Sequence, residues 1–351
     1  MTLNQKVMLA AVLAFSLILP ACMADSKAAL TEQQAAPHTT NISKAQTALQ
    51  RSTTIAVPTS KSLLGGTPTP AELPTQPVIT PAFDEIKVVC DDDWCLFDDK
   101  FILAYPIQST PQHNIDRSYT YGSTQGRNRE THHGVEFPFA YGTPILAAAD
   151  GRVIVAGADT KKVYGLYPGF YGNLIIIEHQ IGENKRYFSL YAHLSEVLVK
   201  ENTLVKAGEI IGKVGASGSA IGSHLHFEFR TGQNAYDQTV NPILWLKPLI
   251  DHTINQHTGT LVLQNASNID LHTQQVGIEQ FGDNNIVKYV YYGETYAADI
   301  RQDPSYNEIF ALSELLPGEY RLSVNYQGIV LKQFFTIFPG KLTLLPLKGP
   351  Q

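Results

Sequence analysis

"SHLHFEFR", residues 223–230, alternates polar and apolar side chains along its whole length. On an extended strand successive side chains point to opposite faces, and residues two apart share one. This period places His224, His226 and Glu228 on one face and Leu225, Phe227 and Phe229 on the other, which predicts a strand with a core side and a polar side. Two imidazoles and a carboxylate side by side add nothing to packing, although a strand lining a wet groove could carry them. Metal ligation, acid–base catalysis and a solvated strand face all remain open on these residues alone.

Upstream, "THHGVEFPF", residues 131–139, supplies a partner. Read as a strand it puts His132, Gly134 and Glu136 on one face and turns Val135 and Phe137 inward, with Gly134 leaving room between two potential ligands. A helix also brings positions four apart together, but Gly134, β-branched Val135 and Pro138 oppose one. His132, Glu136 and His226 then offer two imidazole nitrogens and one carboxylate oxygen, a set that suits one Zn²⁺ ion with a fourth position left for water. Water on such an ion loses a proton near neutral pH and can attack a carbonyl, so the chemistry expected is hydrolysis. In "RYFSLYAHLS", residues 186–195, alternation predicts Tyr187, Ser189, Tyr191 and His193 on a polar face, opposite Phe188, Leu190, Ala192 and Leu194. His193 is thereby expected beside His224, the two serving as base or as donor to a developing oxyanion.

The surrounding chain predicts a mainly β protein. Runs such as "TPILAAADGRVIVAGAD" (143–159), "GNLIIIEHQ" (172–180) and "VKAGEIIGKVGASG" (205–218) are short, rich in Val and Ile, and broken by turn residues, the pattern of an antiparallel core. "NPILWLKPLI" (241–250) closes that region, expected over residues 83–250. Residues 255–351 carry a second set of strand-like runs, among them the Tyr320, Leu322, Val324, Tyr326 alternation of a half-buried strand, and predict a β-sandwich. The 351 residues have room for both domains and tails. A net charge of -6 without a basic stripe argues against a nucleic-acid partner.

Residues 23–82 are dominated by Ala, Thr, Ser, Pro and Gln and hold few aromatics to bury, which predicts a disordered linker. Before it, Lys6 and the apolar run Val7–Leu19 have the layout of a secretory signal and are too short to span a bilayer. Of the three cysteines, Cys90 and Cys95 in "CDDDWC" can pair in an oxidising compartment, leaving Cys22 over. The run Asp91, Asp92, Asp93 lacks the spaced ligands and glycine of a calcium loop and reads as a solvated turn.

In order and spacing, "HHGVEF", "YGTPILAAADGRVIVAG", "YAHL", "VKAGEIIGKVGASG" and "GSHLHFEFR" resemble the lysostaphin-type, or LytM-type, zinc metallopeptidases of bacterial cell walls, over about residues 119–245. The resemblance implies an antiparallel β core with an open groove. It also implies a zinc endopeptidase of peptidoglycan peptides with His132, Glu136 and His226 as metal ligands and His193 and His224 as the catalytic pair, His133 pointing elsewhere. This chain departs at Glu136, where the family pattern has aspartate, and the arginine usual shortly after the aromatic–glycine pair Tyr121–Gly122 is not in place. Loss of ligands marks the family's regulators, which bind and activate a separate wall amidase, and this is the alternative expectation. Leu19, Pro20, Ala21 and Cys22 resemble a bacterial lipobox, which implies a lipid on Cys22; Met23 after it implies anchoring to the outer membrane from the periplasmic side. "IFALSELLPGEYRLSVNYQG" (309–328) weakly resembles the prealbumin-like sandwich domains of envelope proteins, which implies a partner-binding or positioning role.

Overall fold

The computed structural model describes residues 88–90, 93–97, 101–108, 115–182, 185–267 and 269–350. The expected signal segment, Cys22 and the linker 23–82 lie outside the described residues. Everything described falls within the compact unit Pro70–Gln351.

A seven-stranded sheet carries the histidine-rich segments. Along its path run Thr239–Val240, Leu225–Thr231, Arg186–Ala192, Asn173–Gln180, Gly151–Ala158 and Leu204–Val205, with Val135–Phe137 pairing against the start of Leu225–Thr231. Each of these pairings is antiparallel. One face packs Val135, Phe137, Tyr191, Phe227 and Phe229 into the main core. Full burial of an aromatic or branched side chain contributes roughly 1.5–3 kcal/mol, so this layer fixes the strand register firmly. The other face holds Leu174, Ile176, Leu190, Ala192 and Tyr171 in a smaller cluster behind the polar residues.

The register corrects the expectation for residues 186–195. His226 lies opposite Ala192, Glu228 opposite Leu190 and Arg230 opposite Phe188, so the residues expected on the apolar side share the face of the histidines. Tyr191 and Ser189 lie opposite Phe227 and Phe229 and belong to the core side. Their polar atoms are satisfied internally: the Tyr191 hydroxyl accepts from the amide of Ala148, and Ser189 Oγ lies 2.7 Å from His179 Nε2. A polar side chain with a buried partner can face the core, and alternation of polarity alone does not distinguish the two sides.

The C-terminal region stacks two sheets over one core. In the first, Cys95–Phe97, Leu342–Leu347, Gly259–Asn265 and Glu308–Leu315 lie in that order, with Val88–Cys90 at the edge; Gly259–Asn265 runs parallel to Leu342–Leu347. In the second, the order is Val287–Glu294, Gln275–Phe281, Gly318–Tyr326 and Ile329–Ile337. Leu261, Phe310 and Leu345 from one sheet meet Ile278, Leu322 and Phe335 from the other. Within Gly318–Tyr326, Tyr320, Leu322 and Val324 are buried in alternation, as the sequence pattern anticipated. The strands Val88–Cys90 and Cys95–Phe97, expected with the region 83–250, pair with each other and are joined by a Cys90–Cys95 disulfide, and Cys95–Phe97 adds them to the C-terminal sheet beside Leu342–Leu347.

Candidate metal centre

The strand pairing that builds the core also assembles the polar cluster. His226 and Glu136 are directly opposed on neighbouring strands, and His132 lies four residues before Glu136, in the non-strand segment that leads into Val135–Phe137. Gly134 permits the approach: a Cβ there would lie 2.6 Å from the Phe227 carbonyl and 2.8 Å from His226 Cε1. The result is a triangle of three atoms. His132 Nε2 is 3.0 Å from Glu136 Oε1, Glu136 Oε1 is 3.1 Å from His226 Nδ1, and the two nitrogens are 3.2 Å apart. Ligand atoms held about 2.0–2.1 Å from a tetrahedral zinc lie about 3.3 Å from one another, so the trio fits that ion with little adjustment.

The tautomers suit the same use. His132 Nδ1 donates to the Tyr119 carbonyl at 2.8 Å, which leaves Nε2 with its lone pair turned to the triangle. His226 Nε2 donates to Glu228 Oε1 at 3.1 Å, which leaves Nδ1 in the same role. Carbonyl or carboxylate partners of this kind fix ring orientation at metal sites. Burial disfavours charge on His226, yet Glu136 and Glu228 lift it to about 9. Burial likewise works to raise the Glu136 carboxyl, but the surrounding imidazoles, His226 foremost, hold it well below the usual carboxylate range. The cluster therefore favours a positive charge at its centre, which a divalent cation held by the same three atoms would supply in place of the proton on His226 Nδ1.

His193 and His224 flank the triangle. His224 Nε2 stands 3.0 Å from Glu136 Oε2, and the rings of His193 and His224 are 4.9 Å apart. His193 reaches this place by leaving the strand: regular pairing stops at Ala192, and His193 adopts φ 63°, a left-handed conformation uncommon for a residue with a side chain. Continued alternation would have sent it into the core with Tyr191. Its Nδ1 donates to the Ser217 carbonyl at 2.8 Å, leaving Nε2 as the acceptor, and burial followed by the His226 charge pushes it down to about 3. His133 turns away, stacked on Tyr236 with ring centroids 3.8 Å apart and its Nδ1 2.9 Å from Thr239 Oγ1.

The five residues line a cleft of about 290 Å³, walled by Tyr119, Arg129, Tyr167, Phe170, Ile221 and Tyr236. Two features escaped the sequence reading. Glu228 was placed on the right face without a task; it holds His226 and is itself bound by Arg230 Nε at 2.8 Å and by the Tyr171 hydroxyl. Arg129 lies over the Tyr119 ring at 3.9 Å and borders the cleft, so a guanidinium stands on this wall although the usual position for one is vacant in sequence. Its only signal was an arginine three residues before His132.

Comparison with known proteins bears on the same segment. The profile of Peptidase family M23 matches residues 130–242, a span that includes all five residues. The chain is 38% identical over 127 residues to the "Murein hydrolase activator NlpD" of Escherichia coli, covering 36% of this chain and 28% of that protein. It is 40% identical over 97 residues to the "Peptidoglycan DD-endopeptidase ShyB" of Vibrio cholerae, covering 28% and 20% respectively. The matches thus span less than a third of these relatives' lengths. Among solved structures, the catalytic domain of lysostaphin from Staphylococcus simulans is 31% identical, covering 37% of this chain and 90% of that one with a TM-score of 0.32. With the matched span coinciding with the strands that assemble the His–Glu–His triangle, the chain carries a peptidase family M23 domain of the lysostaphin type.

Proposed function

We propose that this chain is a zinc-dependent endopeptidase that hydrolyses peptide bonds of bacterial peptidoglycan, with His132, Glu136 and His226 holding one Zn²⁺ and His193 and His224 acting on the substrate. The observation that carries the reading is the triangle of ligand atoms 3.0–3.2 Å on a side, with two further histidines at its edge. A zinc ion in this place supplies Lewis acidity to a peptide carbonyl and to water. The chain's own groups supply the rest. His193, neutral with Nε2 free, takes up a proton from the attacking water, and His224, next to Glu136, donates a hydrogen bond where negative charge develops on the carbonyl oxygen. Tyr119, Tyr236 and Ile221 flank an extended peptide. Residues 255–351 serve as an accessory region that binds or positions, and a lipid on Cys22 holds the protein at the outer membrane.

A second reading has a specific basis in the 38% identity to a murein hydrolase activator: a non-hydrolytic regulator that uses the cleft to engage a wall amidase. The complete five-residue set favours the enzyme. Metal analysis of the purified chain, with a wall-digestion assay on the same sample, separates the two. Stoichiometric zinc and released peptide support the peptidase; a zinc-free protein that releases nothing yet stimulates an amidase supports the regulator.

A further inference from the structure

His132 depends on a loop that is secured partly from outside its own region. Its amide donates to the Ser123 carbonyl at 3.0 Å, its carbonyl accepts from the Gly122 amide at 2.8 Å, and its Nδ1 donates to the Tyr119 carbonyl. The segment 119–132 thus sets both the position and the tautomer of His132. Within it Gln125 and Arg127 have φ of 48° and 67°, left-handed backbone that side-chain-bearing residues adopt only when something else holds them.

Their amides donate within the loop, Gln125 to Ser123 Oγ and Arg127 to Thr124 Oγ1, each at 3.0 Å, and these two hydroxyls are in turn gripped by the end of a C-terminal strand. Glu294, buried, accepts from Ser123 Oγ at 2.7 Å, from the Thr124 amide at 2.7 Å and from the Gly126 amide at 3.1 Å, with Thr124 Oγ1 3.2 Å away. The residues that follow extend the grip. The Ala297 amide donates to the Gly122 carbonyl at 2.8 Å, and Thr131 Oγ1 donates to Asp299 Oδ1 at 2.8 Å. A Cβ at Gly122 would lie 2.5 Å from the Tyr296 ring, so only glycine lets the two segments close. A charged acceptor shared by several donors makes bonds about twice as strong as neutral ones and has no water to replace them when buried.

We propose that Glu294 is a positioning residue for the metal centre, and that the C-terminal region contributes to zinc binding by clamping the loop that orients His132. The consequence for zinc rests on the metallopeptidase reading; the clamp itself does not. The test uses the full chain as Glu294→Gln and Ser123→Ala, with Glu279→Gln, a carboxylate paired to Arg321 on the outer part of the same sheet, as control. Hydrogen exchange is followed by peptide, and zinc affinity by competition with a chromophoric chelator. Glu294→Gln is expected to speed exchange about tenfold in peptides covering 119–132 and to leave the sandwich strands unchanged, while zinc affinity falls about tenfold or more. Ser123→Ala moves both in the same direction by less, and keeps the test valid should the first variant fold poorly. Loop exchange within twofold of native in both variants, or an equal change in the control, overturns the clamp. A native chain that takes up no zinc sinks the metallopeptidase reading, and the exchange comparison still decides the clamp.

Discussion

His226 Nε2 meets Glu228 Oε1 at 3.1 Å, and the other oxygen of Glu228 lies 2.6 Å from Arg230 Nη2, all three side chains buried. One carboxylate therefore fixes the face that His226 turns to the triangle and neutralises a guanidinium with no access to solvent. Replacing Glu228 by Gln keeps the shape and removes the charge. Zinc affinity is expected to fall about 10–100-fold, and stability by about 3–5 kcal/mol as Arg230 becomes an uncompensated buried cation. Chelator competition and thermal melts with saturating zinc measure the two separately. An unchanged melting temperature would show that Asn234 and the Tyr164 carbonyl, which also bind Arg230, suffice without Glu228.

His193 and His224 touch the triangle from outside, and this separates their expected effects from those of His132, Glu136 and His226. His193→Ala and His224→Ala are expected to retain zinc and to lose peptide release by about a hundredfold or more, as is usual when a base or an oxyanion donor is removed. His132→Ala and His226→Ala lose both together. Zinc stoichiometry beside wall digestion reads the difference, and a His193 variant that sheds its metal would move that residue into the ligand set.

The Glu136–His226 side of the triangle was legible in sequence because the two are period-two positions on directly paired strands whose apolar neighbours fix the register, whereas His132, expected on the same strand, lies in the non-strand segment before Val135 and reaches the triangle from there. The place of His193 was legible only in outcome. The alternation put it on the correct face for the wrong reason, since the strand's true polar side is inverted and a single left-handed residue at its end restores the position. Neither effect has a sequence period. Glu294 was not legible at all: it lies 171 positions from Ser123 and closes a strand whose pattern suggested only sandwich packing. Tertiary ties between segments this distant leave no local mark, while core periodicity does.

His179 offers a pH prediction away from the metal centre. Burial pushes its imidazole down to about 4, against an ordinary value near 6.5, with Nδ1 donating to the Asp150 carbonyl at 2.7 Å. Above pH 6.5 the ring is neutral folded or unfolded, so its contribution to stability is complete there. Between pH 6.5 and 4 the unfolded chain takes up the proton and the folded chain does not, so stability falls as pH falls. The shift corresponds to about 3 kcal/mol. Urea unfolding at pH 7.5 and 4.5 is expected to show a smaller acid loss in His179→Asn than in the native chain, by roughly that amount; parallel pH curves would remove His179 from the account.

Glu136 carries the last prediction, because aspartate is the family's residue at this position and glutamate is the residue present. The carboxylate of an aspartate would sit about 1.5 Å further back along the side chain, whereas a functioning metal site tolerates displacements of about 0.2 Å. The backbone is poorly placed to make up the difference. Glu136 is flanked by Val135 and Phe137, both buried, and these are paired with Phe227 and Leu225, also buried, so a shift toward His226 disturbs four core side chains at once. The 3.0 and 3.1 Å distances from Glu136 Oε1 to the two nitrogens therefore describe a triangle already closed by the longer side chain. Glu136→Asp is accordingly expected to weaken zinc binding and slow peptide release together, while the melting temperature of the zinc-free protein changes little. Chelator competition decides it. Tighter zinc binding in the aspartate variant would mean that the glutamate is the residue of a decayed site, and would favour the activator reading over the peptidase.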